Sequence, residues 1–101
     1  MIIKKLEKMP YAQAHVEIDK DGNISLFSYL TKVAEISEDK WFTIFGLYSM
    51  TTRKHIGAFI WEYVEWPNGE RGTFQEFRKI YEDGYKINLE TGEIQEIENE
   101  E

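Results

Sequence analysis

The chain has 101 residues, 42% of them hydrophobic and 15% aromatic, a formal charge of −7 and no cysteine. That length holds one domain around one core, and that apolar content excludes an intrinsically disordered chain. The lack of cysteine removes disulfides, thiolate metal sites and cysteine nucleophiles, and it fits a reducing cytosol.

No stretch approaches the roughly 20 apolar residues of a membrane-spanning helix. The N-terminal MIIKKLEK lacks the apolar run of a secretory leader. No membrane partner is expected, and the expected setting is cytoplasmic. The charge is unevenly placed: Glu90, Glu93, Glu96, Glu98, Glu100 and Glu101 follow one another with no Lys or Arg among them. The rest of the chain is close to neutral. This acidic end reads as a solvated terminus, or as an element that docks on a basic partner through Glu93, Glu96 and Glu98. Residues 10–98 are expected to form the folded body of a single domain spanning 1–101, with 1–8 and 99–101 frayed.

Along the chain, residues 14–18 (AHVEI) alternate apolar and polar side chains, as a half-buried strand does. The run DKDGN at 19–23 supplies turn chemistry, because Gly22 and Asn23 tolerate positive φ. It lacks the later oxygen ligands and closing Glu of a calcium loop. Residues 24–29 (ISLFSY) read as the second strand of a hairpin, and 31–36 as a third strand. After a polar turn at 37–40, the aromatic and β-branched run 41–45 (WFTIF) reads as a fourth.

The period changes after Gly46. Ile56, Phe59, Ile60, Tyr63 and Val64 share one helical face, Ser49 or Thr51 can cap that helix, and Pro67-Asn-Gly69 ends it. Thr73-Phe-Gln-Glu76 is a capping box opening a second helix, striped by Phe74, Phe77, Ile80 and Tyr81 and stopped at Gly84. Alternation on both sides of Thr91-Gly92 predicts a terminal hairpin, whose exposed edge offers homodimerisation by strand pairing. The expected fold is α+β: an antiparallel meander of about four strands, two helices on one face, and a C-terminal β-hairpin.

The segment with most chemical content is Ser49–His55. A helix N-terminus carries unpaired N–H groups and partial positive charge, so acidic side chains are favoured there. This helix begins instead with Ser49, Thr51, Thr52, Arg53, Lys54 and His55. A bound phosphate, nucleic-acid backbone or partner carboxylate would reverse the mismatch. Gly57, mid-helix, costs about 1 kcal/mol against alanine. It points to close packing against the sheet, or to close approach of a ligand or partner. Trp61 lies off the apolar stripe and Trp66 just beyond the helix; both can cover the core edge or anchor an interface.

The run GLYSMTTRKHIGAF, with SYLTKVAEI upstream, resembles small uncharacterised proteins of bacteriophages and related mobile elements of gut bacteria. The resemblance spans Pro10 to about Tyr63 and centres on S-M-T-T-R-K-H, here Ser49–His55. It implies a bacterial or phage cytosolic setting and brings no catalytic residue with it. In that setting the first expectation is a non-catalytic accessory protein that binds a host or phage protein, for example as an inhibitor of a host defence nuclease. The second is nucleic-acid or phosphate-ligand binding through Thr51–His55, against which a sequence pI near 4.9 weighs. An enzyme ranks last, because a Ser49–His55 pair needs a third orienting group and an oxyanion hole that nothing local supplies. No cofactor is expected. No metal is expected either, since His15 and His55 are isolated in sequence.

Overall fold

The computed structural model describes residues 1–97. Its strands are β1 (Ile2–Lys4), β2 (Ala14–Ile18), β3 (Ile24–Ser28), β4 (Thr31–Ile36), β5 (Trp41–Ile44), β6 (Tyr85–Asn88) and β7 (Ile94–Glu96). The helices α1 (Met50–Tyr63) and α2 (Phe74–Glu82) lie between β5 and β6 in the chain. The strands form one seven-stranded sheet in sequence order, every neighbouring pair antiparallel.

The α+β class, the meander, both helices and the final hairpin match the sequence reading. The strand number does not: about four becomes seven in one sheet. The hairpin β6–β7 is not a separate feature, because Trp41 and Phe42 of β5 pair with Asn88 and Ile87 of β6. The N-terminal segment also departs from the expected fraying. Ile2–Lys4 pairs with β2, and Leu6 behind it is fully buried. Three apolar or long side chains in a short edge strand give no alternation to detect, so β1 was invisible as a pattern.

The register puts one row of side chains inside. Val16 pairs with Leu26, Leu26 with Ala34, Ala34 with Ile44, and Phe42 with both Ile36 and Ile87. The helices cover this face: Phe59 of α1 and Phe77 of α2 pack on Phe42, with ring centroids 6.2 and 5.2 Å apart. The other face carries half-buried residues held by one another. His15 stacks on Phe27 and bonds Glu17 at 2.8 Å, and Lys32 pairs with Glu35. His15 therefore sits on the outward phase, as its strand pattern predicts.

The helix boundaries follow local chemistry. The Ser49 side chain caps α1 by accepting from the Thr52 N–H at 3.1 Å. α1 ends at Tyr63, earlier than Pro67-Asn-Gly69 suggests, because Val64 is already extended. Glu65 then bridges to Arg71, and Pro67-Asn-Gly69 turns the small loop between them. The Thr73–Glu76 capping box forms as expected at α2. Gly84, at φ 89°, follows the last turn of that helix.

Candidate functional site

α1 divides its first turns between two faces, as a period of 3.6 requires. Thr52 and His55 turn inward with Ile56, Phe59 and Ile60, and they are buried. Met50, Thr51 and Lys54 are exposed, and Arg53 and Gly57 are half-buried. The sequence grouped Ser49, Thr51, Thr52, Arg53, Lys54 and His55 as one anion-binding set. The fold separates them, and only Arg53 and Lys54 remain as outward cations.

The inward part is a buried polar hub. His55 Nδ1 lies 2.8 Å from Ser28 Oγ on β3. Ser28 Oγ is also 3.3 Å from Thr52 Oγ1, which is 3.2 Å from Ser49 Oγ. Burial holds the His55 imidazole below its ordinary pKa, so it is neutral near pH 7. Ser28 and His55 are only 3% and 1% exposed, which closes the pair to a substrate. The serine that meets His55 is thus Ser28, not Ser49, and the arrangement ties helix to sheet. Ser28 was missed, although it stands on the inward phase with Ile24 and Leu26. A hydroxyl on an apolar phase was the available signal.

The outward part is a trough. One depression of about 420 Å³ is lined by Lys8, Met9, Lys54, Gly57, Ala58 and Trp61. Another, of about 340 Å³, is lined by Met50, Arg53, Lys54, Gly57, Phe74 and Arg78 among others. They share Lys54 and Gly57, so they lie side by side along this face of α1. A Cβ placed on Gly57 would find only Phe74 Cβ, at 3.8 Å, which is ordinary contact. The expected packing of Gly57 against the sheet is therefore corrected: it faces the start of α2, and the fold itself has room for alanine.

Four cations line the trough, and no Asp or Glu does. Arg78 shares Glu82 at 3.6 Å, while Arg53 and Lys54 make no ion pair among the described residues. Trp61 is 40% exposed. Lys8 stands 4.3 Å from its ring centroid, and Arg71 lies over the same ring and donates to the Trp61 carbonyl. Lys8 and Arg78 were not singled out from sequence, and Phe74 was read only as part of the apolar stripe of the second helix. They reach the site from other elements, and nothing in their local pattern marks them as part of it.

The remaining sequence candidates lie elsewhere. Trp66 is half-buried, stacked on Phe77 at 4.7 Å and bonded through its indole N–H to Glu76, so it belongs to the core edge. Glu93 and Glu96 are exposed on the terminal hairpin, away from the trough. Glu98 lies outside the described residues. Among the described residues no group of three His, Cys, Asp or Glu converges as a metal site would. Nor, among the described residues, is any helix long and apolar enough to cross a membrane.

No curated protein and no solved structure matches the chain. One family model does, over residues 2–79, which runs from β1 into α2 and contains every residue of the trough. The match covers most of the chain, which therefore belongs to DUF8033, a family of unknown function.

Proposed function

We propose that the protein is a non-catalytic binding module that receives an acidic segment of a partner protein in the trough across α1. One observation carries this reading: α1 keeps a glycine at 57 although the fold has room for alanine there, a Cβ meeting only Phe74 Cβ in ordinary contact. A mid-helix glycine costs about 1 kcal/mol against alanine, and close approach of another molecule offsets that cost. The cations at Lys8, Arg53, Lys54 and Arg78 give the occupant its sign, and Trp61 gives it an apolar anchor. Arg53 and Lys54 also sit in the first turns of α1, where the helix end repels them, and a partner carboxylate relieves that strain.

The four trough cations form a short, local patch, which suits a short acidic protein segment better than the extended phosphate track of a nucleic acid. The resemblance of Ser49–His55 to bacteriophage proteins supports a bacterial host cell as the setting. There, occupation of a partner's acidic element would act by blocking it, as an inhibitor of a host defence enzyme does.

The test is an NMR titration of isotope-labelled protein with an acidic amphipathic peptide, and separately with a single-stranded oligonucleotide. The peptide is expected to shift the Arg53, Lys54, Gly57 and Trp61 amides and to spare β6 and β7. Shifts from the oligonucleotide alone, or from neither probe, would overturn the reading.

A further inference from the structure

His55 joins the trough to the core. It is buried under α1, bonded to Ser28 of β3, and 6.0 Å from the ring of Tyr29. Among the described residues, the groups around it offer no countercharge. The inner faces of β2, β3 and β4 present Ala14, Val16, Leu26, Ser28, Val33 and Ala34. The charged residues of those strands, His15, Glu17, Lys32 and Glu35, pair with one another on the opposite face. Tyr29, in the turn after β3, is the titratable group beside its ring. On α1 the nearest charges in sequence are Arg53 and Lys54, both cations, and α2 brings Arg78 to the same end.

We infer that His55 is a pH-sensitive latch on the trough: when it takes up a proton, the first turns of α1 open and the binding surface they carry is lost. An imidazolium here would sit buried, without a carboxylate, at the positive end of a helix. Opening those turns lets His55 reach water and breaks the Ser28–Thr52–Ser49 chain. The same turns hold Met50, Arg53 and Lys54, so they cannot open with the trough intact. The device rests on the trough being the binding site, and its sign is fixed. The histidine is neutral when folded, so the closed form holds above the ordinary imidazole pKa and weakens as pH falls below it.

The test follows hydrogen exchange of the Thr52–His55 amides, corrected for intrinsic rates, with Phe77–Ile80 of α2 as the internal reference. The opening constant of α1 is expected to rise about tenfold per pH unit below about pH 6.5, until the folded imidazole itself titrates. The reference amides should change less, and His55→Gln should remove the slope. In parallel, a peptide of alternating leucine and cysteic acid, whose sulfonates stay ionised throughout, is titrated at both ends of that range. Wild type should lose affinity in acid and His55→Gln should not. A flat α1 profile, an equal slope in His55→Gln, or identical behaviour of α1 and α2 would overturn the latch. Pronounced α1 opening with no peptide binding at any pH would sink the trough and with it the latch as a control on binding, leaving only a pH-sensitive helix start.

Discussion

Ser28 on β3 and His55 on α1 meet at 2.8 Å across the interface between sheet and helix, each nearly sealed from solvent. A buried imidazole nitrogen loses its water on folding, so the serine hydroxyl is the partner that makes its burial tolerable. Ser28→Ala removes that partner and leaves the ring in place. The expected cost is about 1–3 kcal/mol, the range for a buried polar group left unsatisfied. Urea unfolding reads it as a lower midpoint at unchanged slope. A Ser28→Ala midpoint equal to wild type would mean that the hub holds nothing together.

Tyr63 gives a second titration, at the alkaline end. Its hydroxyl is buried and, among the described residues, meets no hydrogen-bond partner in good geometry, while burial first, then the Glu62 carboxylate at its side and Glu7, push its pKa up to about 12. The folded value lies above the unfolded one, near 10. The neutral phenol therefore contributes stability that is complete below pH ~10 and is lost as pH rises toward ~12. Thermal unfolding across that window should show a steeper fall for wild type than for Tyr63→Phe. At neutral pH the same substitution should be close to neutral, since it deletes a hydroxyl with no hydrogen bond in good geometry. Parallel curves for the two proteins would contradict the assignment.

Gly72 is needed for steric reasons alone. A Cβ there would overlap the ring of Phe77, which is 1% exposed and held between Trp66 and Phe42. The ring cannot retreat without disturbing both neighbours, so Gly72→Ala should cost about 1–3 kcal/mol, the usual penalty for overpacking. Pairing it with Phe77→Leu should make the two changes non-additive, with the double variant better than the sum of the singles. Denaturant midpoints of the four proteins complete that cycle. Strict additivity would show that Gly72 and Phe77 do not compete for space.

Much of this architecture was readable because its signals are local. Alternation marked β2 and β3, the Thr73–Glu76 box marked the start of α2, and Thr91-Gly92 marked the last turn. The joining of β5 to β6 was not readable, because the two strands are separated by both helices and only tertiary packing pairs Phe42 with Ile87. The same distinction applies to the site. Helix-end electrostatics singled out Arg53 and Lys54, and the structure turns both outward. Helix-end electrostatics ignores phase: Thr52 and His55 stand one turn before Ile56 and Phe59, so the helical period already turns them to the core. Trp66 takes the core-edge alternative of the sequence reading, its burial being supplied by Phe77 from the next helix.

Gly57 separates folding from binding more cleanly than any other position. Its nearest neighbour, 3.8 Å from where a Cβ would stand, makes ordinary contact, so Gly57→Ala should stabilise the protein by about 1 kcal/mol through helix propensity alone. Gly57→Leu should keep most of that gain, because the larger side chain extends into the trough and away from the core. If the trough is the binding surface, Gly57→Leu should nevertheless abolish binding of the acidic peptide, and Gly57→Ala should weaken it. The Arg53→Ala, Lys54→Ala pair should weaken it by a different route, through association rate and salt dependence. A protein that becomes more stable and loses its ligand has had a cost removed that folding did not require. Were Gly57→Leu to bind as wild type does, the glycine would have no partner to explain it, and the trough would be only a surface depression.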